Sequence, residues 1–303
     1  MKEINSLGVV IVTHNSFGFL AEALYSYLDA GISASNIVVI DNKSIDTTEV
    51  DIPRLFPDVR YRRNEENFGY AKAINLGVTE LLCEYIVISN PDIIVTSEAL
   101  RICLHLLDQN EGAGVVGCTL MNQFGKNITR FSWTGIISAV GMLMFNNMLN
   151  GIVRISNQLL RKRNAPSETR FVEGSFMMLR RKAFNSVSGF DEQIFLFSED
   201  ADFSLRLAKQ GWKLIHMPTA KITHIGSVCF EHEGAYFKMI EFYRGLLYFY
   251  RKHFPIRHQL LRGALWIVSV LKLCASRITA ASQGSTAVKM LREIAKLLSG
   301  SVY

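Results

Sequence analysis

The stretch LGVVIVTHN, residues 7–15, decides the fold of this chain. Its residues up to Val12 are apolar and mostly β-branched, with no alternation between apolar and polar positions. Such a run is typical of a strand that is buried on both faces of a sheet. The polar residues Thr13, His14 and Asn15 follow directly. The stretch therefore predicts an interior strand that opens into a polar loop at its carboxyl end.

Strands and helices alternate outward from this stretch. Apolar residues at Phe19, Ala23 and Tyr27 have the spacing of a helix face, and a second buried strand is predicted at 36–40. The same alternation predicts strands at 59–62 and 85–89 and helices at 70–82 and 97–109. It indicates an α/β fold with a mostly parallel sheet, helices on both faces, and ligands beyond the carboxyl ends of the strands.

The second half of the sequence is less regular. Residues 122–170 show no clean period, which indicates an insertion over the site. A strand is predicted again at 171–180 and a helix at 198–210, and the carboxyl-terminal part is typical of helices. We therefore expect a larger domain over residues 1–230 and a helical appendage over residues 231–303.

The positive charge of the chain lies at its carboxyl-terminal end. The net charge is +6, and residues 231–303 hold eleven Lys or Arg against four Asp or Glu, which gives +7 there and leaves −1 for the first 230 residues. This skew favours contact with an anionic surface. Nucleic acid would explain the basic tail but not the polar strand ends, so we expect no nucleic-acid partner.

The same region contains the apolar run ALWIVSVLKLCA at 264–275. The run is too short to cross a bilayer, for which a helix needs roughly twenty residues. Because basic residues flank it, we predict a helix in the plane of the membrane interface and hence peripheral membrane association. Packing on the larger domain or on a second copy of the chain fits the pattern equally well. The apolar segment 136–153 fits either surface.

The cysteines and the amino terminus bear on the compartment. The five cysteines are Cys83, Cys103, Cys118, Cys229 and Cys274, and none forms a CxxC pair. Their odd number and scattered positions predict buried thiols in a reducing compartment rather than a disulfide framework or a zinc site. The amino-terminal sequence lacks a charged leader followed by a long apolar region and a cleavage site. We therefore expect a cytoplasmic location.

Two polar clusters follow the first two strands. Thr13 and Asn15 end the first strand, and Asp41, Asn42 and Ser44 end the second. Their oxygens can accept hydrogen bonds from a pyrimidine N–H or a ribose hydroxyl, so the clusters predict a nucleotide site at this edge. Turn formation and helix capping explain the same residue types, and both interpretations stay open.

A third cluster lies in NFGYAKAIN, residues 67–75. Asn67 and Gly69 precede a predicted helix that contains Asn75. A glycine at position 69 would let the backbone approach a ligand, whereas a helix cap alone would explain Asn67.

A fourth cluster, Asn90 and Asp92, follows the buried strand at 85–89. A carboxylate at the rim of such a strand can hold Mg²⁺ or Mn²⁺, because these cations accept few protein oxygens and keep phosphate oxygens as ligands. An Asn-Pro-Asp turn would place the same residues there without a metal.

Three carboxylates, Glu199, Asp200 and Asp202, crowd the start of a predicted helix. The helix dipole favours them there, but their mutual repulsion is costly unless a cation, a base role or Arg206 offsets it. A carboxylate beside an incoming hydroxyl can act as a general base, and Glu199 and Asp200 both fit that role. His224, in KITHIGS, is either a structural residue or a metal ligand.

Taken in order, these clusters resemble the inverting family 2 glycosyltransferases and, among them, the bacterial rhamnosyltransferase-like branch. The matching segments lie within residues 9–227 and are VVIVTHN, DNKSIDTT, NFGYAKAIN, SNPD, the stretch from GSFMMLRRKAF to SEDADFSLRLAKQGW, and ITHIGS. The resemblance implies a GT-A fold, a nucleoside diphosphate sugar as donor, a divalent cation, and a carbohydrate or lipid-linked saccharide acceptor in cell-surface polysaccharide synthesis.

The resemblance also implies roles for individual residues. The residues implied to surround the nucleotide and sugar are Thr13, Asn15, Asp41, Asn42, Ser44, Asn67, Gly69, Asn75 and Asn90. Asp92 matches the last residue of the family's DxD metal motif, and His224 matches a histidine that joins the metal. Asp200 matches the base that deprotonates the acceptor hydroxyl. Because Asn90 replaces the first carboxylate of DxD, the motif resembles the rhamnosyltransferase version and favours dTDP-rhamnose as donor.

Two competing interpretations are a non-catalytic nucleotide- or carbohydrate-binding module on the same fold and a nucleotidyltransferase. The crowded carboxylates Glu199 and Asp200 disfavour a pure binding module. The absence of Lys and Arg from THNSFGF, residues 13–19, disfavours the nucleotidyltransferase, which would grip phosphates there. The motifs GxGxxG, GxxxxGK[ST], HExxH and GxSxG are also absent, which disfavours dinucleotide oxidoreductases, P-loop kinases, zinc proteases and serine hydrolases.

Overall fold

The computed structural model describes residues 2–144, 165–226, 234–278 and 286–299. These residues fall into two compact units. The first unit comprises residues 2–132, 165–195 and 199–226, and the second comprises 133–144, 196–198, 234–278 and 286–299. The division of the chain at residue 230 stays a prediction.

The strands all belong to the first unit, whereas the helices belong to both units. The strands are β1 (Gly8–Thr13), β2 (Ile37–Asp41), β3 (Arg60–Arg63), β4 (Tyr85–Ser89), β5 (Ile93–Ile94), β6 (Ala113–Met121), β7 (Ser167–Thr169), β8 (Phe176–Arg180) and β9 (Lys213–His224). The helices are α1 (Phe17–Asp29), α2 (Thr48–Leu55), α3 (Gly69–Thr79), α4 (Ser97–Gln109), α5 (Ile136–Met144), α6 (Arg181–Ser186), α7 (Glu199–Lys209), α8 (Gly234–His253), α9 (Pro255–Ile278) and α10 (Thr286–Ser299).

The strands form one sheet in the order β3-β2-β1-β4-β8-β6-β9-β5, with β7 paired to β9. The strands β3, β2, β1 and β4 are parallel, as the alternation of strands and helices predicts. Strand β8 runs antiparallel to both β4 and β6, because it starts at the edge of the sheet where β4 ends. The sheet is therefore parallel in its first half and mixed in its second half.

Strand β1 confirms the prediction of burial on both faces, since all six of its residues are buried. Successive side chains of a strand point to opposite faces. Val9 and Ile11 pack into the core that includes residues of α1 and α4, and Val10 and Val12 pack into the core that includes residues of α3 and α7. Each fully buried aliphatic side chain of this kind contributes about 1.5–3 kcal/mol to folding.

Helix α1 buries its predicted face with one adjustment. Ala23 and Tyr27 are fully buried, as expected, but Phe19 is half-buried and Leu20 takes its place in the core. A helix turns about 100° per residue, so a shift of one position rotates the buried face without changing its period. The left-handed backbone of Gly31 follows directly after the helix.

The described part of the second unit consists of the helices α5, α8, α9 and α10, which confirms the helical prediction for the carboxyl-terminal part. The Tyr243 hydroxyl donates to the Ala139 carbonyl at 3.0 Å, and the Lys272 ammonium donates to the Leu143 carbonyl at 2.6 Å, so α8 and α9 are both fastened to α5. Residues 145–153 of the predicted apolar segment lie outside the described residues. No helix in the described ranges combines the length and hydropathy that a membrane span needs.

The prediction of buried thiols is only partly right. Cys103 and Cys118 are buried and Cys83 is half-buried, but Cys274 is exposed on α9. Cys274 lies on a face of α9 that the described residues leave exposed, which its sequence neighbours could not indicate. Cys229 lies outside the described residues.

Candidate active site

The ends of β1 and β2 bring the first two polar clusters together. Thr13 and Asp41 are opposite each other in the parallel register, and the Asn42 backbone N–H donates to the Thr13 carbonyl at 2.9 Å. The Thr13 hydroxyl oxygen is buried and has no hydrogen-bond partner among the described residues. The first edge of the candidate site therefore contains one orphaned hydroxyl.

The Asp41 carboxylate is fully buried and both of its oxygens have partners. Oδ1 accepts from the Ser44 backbone N–H at 2.8 Å and from the Ser44 hydroxyl at 2.6 Å, and Oδ2 accepts from the Tyr61 hydroxyl at 2.6 Å. Burial and the bond to Asp41 raise the pKa of Tyr61, so this hydroxyl keeps its proton and donates. Arg63 lies opposite Asp41 on β3, and its Nε is 3.8 Å from Oδ2.

The amides of Asn15 and Asn42 join neighbouring loops. Asn42 donates from Nδ2 to the Gly69 carbonyl at 3.0 Å, and its Oδ1 accepts from Asn64 at 2.8 Å. Asn15 has a left-handed backbone with φ 53°, and its N–H donates to the Ser44 hydroxyl at 2.8 Å. These two predicted ligand contacts therefore use some of their hydrogen-bonding groups to hold the loops in place.

The third cluster is arranged around the loop at 189–195. Gly69 has φ 78°, and a side chain there would collide with the Phe195 carbonyl oxygen. The glycine therefore allows the backbone of Phe195, rather than a ligand, to approach closely. Asn67 Oδ1, two residues before α3 begins, accepts from the Gly69 N–H at 3.0 Å. Asn75 donates to the Phe190 carbonyl and accepts from the Phe190 N–H, both at 2.9 Å. Structural roles thus account for these contacts, and ligand binding by the three residues stays a prediction.

Asp92 and His224 meet where β5 pairs with the end of β9. His224 lies opposite Ile93 in the antiparallel register, and its Nε2 is 3.4 Å from Asp92 Oδ2. Oδ2 also accepts from the Gly226 N–H at 2.9 Å. Within the described ranges, Asp92 Oδ1 and His224 Nε2 are buried without a hydrogen-bond partner. No group of three or more His, Cys, Asp or Glu suited to a metal occurs in the described residues, so this pair stands by itself.

Glu199 and Asp200 begin α7 and are both buried. Burial, together with the charge of Asp200, raises the pKa of Glu199 to about 8, and its Oε2 has no hydrogen-bond partner. Asp200 accepts from the Gly174 N–H at 3.1 Å and from the Ala201 N–H at 2.8 Å. Burial raises the pKa of Asp200 too, but the positive charge of Arg130 opposes that rise.

Arg130 and Glu173 form an ion pair beside these carboxylates. Arg130 Nε donates to Glu173 Oε1 at 2.6 Å, and the Arg130 backbone N–H donates to Oε2 at 2.6 Å. The charges of Glu173, Asp200 and Glu199 all raise the pKa of Arg130, which shows how strongly this arginine is held in its charged form. A small cavity lies beside the pair and is also lined by Phe131 and His216.

The third carboxylate of the crowded helix start has a structural partner. Arg206 donates from Nε to Asp202 at 2.6 Å, one helical turn along α7. Arg206 also donates to the carbonyls of Val187 and Gly189 at 2.6 and 2.8 Å. Arg206 therefore offsets the charge of Asp202, while the charge nearest to Asp200 is supplied by Arg130.

The two ends of the site lie on one edge of the sheet. Strand β4 ends beside the start of β8, where the Asn90 N–H donates to the Ser175 carbonyl at 2.9 Å. The next residue back, Gly174, is the one whose N–H binds Asp200. Residues 174–175 thus connect the loop that carries Asp92 with the start of α7.

Comparison with known sequences supports a single family. Residues 8–188, more than half of the chain, match Glycosyl transferase family 2. The chain is 26% identical over 237 residues to the N-acetylglucosaminyl-diphospho-decaprenol L-rhamnosyltransferase of Mycobacterium tuberculosis, covering 72% of this chain and 75% of that protein. It is 26% identical over 143 residues to the rhamnosyltransferase WbbL of Escherichia coli, covering 46% and 52% of the two chains.

A solved structure gives the fold. The mannosyltransferase PcManGT of Pyrobaculum calidifontis, solved with GDP-Man and Mn²⁺, superposes with a TM-score of 0.58 at 18% identity and covers 96% of this chain and 80% of that one. The expected GT-A fold is confirmed. The match to a transferase family also decides against a non-catalytic binding module and a nucleotidyltransferase. The chain belongs to glycosyl transferase family 2 and is a glycosyltransferase.

Proposed function

We propose that the protein is an inverting rhamnosyltransferase, which moves rhamnose from dTDP-rhamnose to a carbohydrate or lipid-linked saccharide acceptor during cell-surface polysaccharide synthesis. The observation that carries the proposal is the set of buried polar atoms without partners at one sheet edge, on Asp92, His224 and Glu199. Because a buried polar group without a partner is costly, such atoms suit a site that a polar ligand completes.

Asp200 is the base in this proposal. Its two backbone N–H donors and the nearby charge of Arg130 stabilise its ionised form, whereas Glu199, with a pKa of about 8, keeps its proton at neutral pH. Asp200 takes the proton of the acceptor hydroxyl as the hydroxyl oxygen attacks the anomeric carbon. The bond between that carbon and the diphosphate oxygen breaks on the opposite face, so the configuration inverts.

Glu199 has a different part in the proposed site. Its carboxyl is protonated at neutral pH, and through the unpartnered Oε2 it can donate a hydrogen bond to a sugar hydroxyl or a diphosphate oxygen. This division of roles follows from the environments of two adjacent carboxyls, since only one of them has backbone donors on both oxygens.

Asp92 and His224 would hold a divalent cation, Mg²⁺ or Mn²⁺. The fit rests on the unpartnered Asp92 Oδ1 and His224 Nε2, a carboxylate oxygen and an imidazole nitrogen that are both suited to Mn²⁺. When bound, the cation neutralises the charge of the departing diphosphate. Chelation with EDTA is expected to abolish transfer, and added Mn²⁺ or Mg²⁺ to restore it; full activity in EDTA would contradict this assignment.

The remaining proposed contacts lie at the ends of β1, β2 and α3. Thr13 has the free hydroxyl for a ribose or base contact. Asp41, Asn42 and Ser44 shape the base site while their oxygens hold the neighbouring loops, and Asn15, Asn67, Gly69, Asn75 and Asn90 complete the proposed nucleotide-sugar surroundings. The donor preference rests on the two rhamnosyltransferase relatives and on the Asn90-Pro91-Asp92 motif.

We also propose that the enzyme works in the cytoplasm at the inner face of the membrane. The Mycobacterium tuberculosis relative is named for a decaprenol-linked acceptor, and an acceptor of that kind is held in a membrane. In this proposal, residues 1–230 form the catalytic domain and residues 231–303 contact the membrane. The alternative is that residues 231–303 contact a second copy of the chain.

The function is tested with the purified full-length chain and a panel of dTDP-, UDP- and GDP-linked sugars in the presence of Mn²⁺. Without an acceptor, slow hydrolysis should release dTDP from dTDP-rhamnose faster than nucleotide from any other donor. Faster hydrolysis of another donor would overturn the rhamnose assignment. Hydrolysis of none, together with no nucleotide binding by calorimetry, would overturn the proposed site.

A further inference from the structure

Helix α9 exposes a mostly apolar face. The exposed fractions of its side chains are 82% for Ile256, 63% for Leu260, 53% for Ile267 and 62% for Leu271. The described residues expose thirteen large apolar side chains, and five of them, including Trp266, belong to this one helix. The other eight are spread over three helices and three loops, with at most two in any one of them, so α9 differs from the rest of the described surface.

The exposed residues lie on one side of the helix. At about 100° per residue, they fall with Gly263, Cys274 and one exposed polar residue, Gln259, within an arc about 140° wide. The opposite side carries Leu261, Leu265 and Val268, which are buried in the second unit. The helix is therefore anchored by one apolar face and presents a second apolar face to the outside.

Cations border this exposed face on both sides. Arg257 and Arg262 are exposed and lie on opposite edges of the arc, about 140° apart across the anchored side. Helix α9 contains no Asp or Glu in its 24 residues. Burial, together with the positive charges of Arg262 and Arg251, lowers the pKa of His258. The borders of the apolar face therefore carry positive charge.

The acidic residues of the second unit do not offset this charge. In its described part they are Glu241 and Glu293, and each forms an ion pair within its own helix, with Arg244 and Lys296 respectively. A partner that matches α9 must therefore be apolar in the middle and negatively charged at its borders.

We propose that this face of α9 docks on an anionic phospholipid bilayer, with Ile256, Leu260, Ile267 and Leu271 inserted among the acyl chains and Arg257 and Arg262 at the phosphate level. A helix with an apolar face between basic edges lies in the interface plane of such a membrane. A second copy of the chain is a poorer match, because it would bring the same arginines together without any acidic residue on the helix to pair with them.

The inference deepens the proposed function by naming the surface that contacts the membrane. Its biological purpose rests on that function, because a lipid-linked acceptor reaches the enzyme at the membrane surface. The contact itself depends only on the surface of α9. Lipid binding can therefore be measured without donor, acceptor or metal, and its failure can be told apart from a failure of the proposed function.

The test uses the full-length protein and sedimentation with vesicles of phosphatidylcholine alone or mixed with phosphatidylglycerol. The protein should sediment with the mixed vesicles and stay in the supernatant with phosphatidylcholine. R257Q together with R262Q should weaken binding roughly 30-fold, at about fivefold for each arginine lost from a membrane surface. I267E together with L271E should weaken binding by at least about tenfold.

The control is L82E together with F124E, two apolar residues of the first unit that are 97% and 83% exposed. This variant should bind vesicles like the unchanged protein, and circular dichroism should show the same helix content for all variants. Equal binding by I267E/L271E, or no binding of the unchanged protein to the mixed vesicles, would overturn the proposal. So would a stable dimer in light scattering that I267E dissociates, because the face would then be occupied by a second copy.

Discussion

Two parts of the candidate site, both at the same edge of the sheet, satisfy their buried polar atoms in opposite ways. At the end of β2, both oxygens of Asp41 and both amide atoms of Asn42 have partners within the protein. At the end of β9 and the start of α7, Asp92 Oδ1, His224 Nε2 and Glu199 Oε2 have none. The protein itself satisfies the buried polar atoms at the end of β2. The buried polar atoms at the end of β9 and the start of α7 need a ligand to satisfy them.

The difference separates residues that build the site from residues that act in it. Removing a partner from a satisfied network leaves buried donors unpaired and costs stability. Removing an orphaned group costs the fold little, so its effect should appear in binding or catalysis instead. The four predictions below test this division, in order of decreasing effect.

Asp200→Asn should reduce the rate of sugar transfer by about 10²- to 10⁴-fold, because an amide cannot take the proton of the acceptor hydroxyl. Nucleotide binding, measured by calorimetry with dTDP and Mn²⁺, should stay unchanged. Asp58→Asn, at an exposed carboxylate after α2, is the matched control and should transfer sugar at the normal rate. A normal rate in Asp200→Asn would remove the base from the proposed mechanism.

Asp41→Asn should lower the free energy of unfolding by about 2–4 kcal/mol, because it replaces a carboxylate that accepts from the Ser44 N–H, the Ser44 hydroxyl and the Tyr61 hydroxyl. Asp92→Asn should cost less than about 1 kcal/mol, since its amide oxygen can still accept from the Gly226 N–H. Urea denaturation measures both variants. Similar losses of unfolding free energy in the two variants would contradict the proposed difference between the two parts of the site.

Glu199→Gln should stabilise the protein at alkaline pH. The Glu199 carboxyl has a pKa of about 8 in the fold against 4.5 ordinarily, so between these values the folded state binds more protons than the unfolded chain, and stability falls as the pH rises. The amide does not titrate and removes this loss. Urea denaturation should show the variant more stable by roughly 1–3 kcal/mol at pH 8 and equal to the unchanged protein below pH 4.5.

A stability difference for Glu199→Gln that does not vary with pH would contradict the raised pKa. Asp58→Asn, a substitution at an exposed carboxylate, is the control and is measured over the same pH range.

Arg130→Gln should move the acid limb of the kcat/KM profile to higher pH by about one unit, which is about 1.4 kcal/mol. The positive charge of Arg130 lowers the pKa of Asp200, so its loss makes the base harder to ionise. Arg62→Gln, which removes an exposed ion pair with Glu80 at 2.9 Å, is the control and should leave the limb in place. An unshifted limb in Arg130→Gln would mean that this arginine does not act on the base.

The sequence predicts the parallel half of the sheet because β1, β2 and β4 are unbroken apolar runs whose burial needs no long-range information. It does not predict β9, since Lys213, Pro218 and Lys221 interrupt its apolar pattern and its pairing with β6 contains register shifts. Strand β8 begins at residue 176 instead of 171. Residues 171–175 leave the line of the strand, and the Gly174 N–H donates to Asp200 there.

The location of the candidate site can be predicted from the sequence, but its electrostatics cannot. Strand ends are visible as polar residues after apolar runs. Tyr61 and Arg130, in contrast, act on Asp41 and Asp200 from positions twenty and seventy residues away, a proximity that only the folded chain creates. Glu173 offers the one local signal, as a single acidic residue within the apolar stretch FVEGSFMML.

The close approach at Gly69 links two segments that the sequence separates widely. Helix α3 holds the loop at 189–195 through the Tyr70 N–H, which donates to Phe195 at 2.8 Å, and through Asn75, which binds both backbone groups of Phe190. The helix and the loop must therefore open together in any local unfolding event. A ligand that stabilised either segment would therefore also stabilise the other.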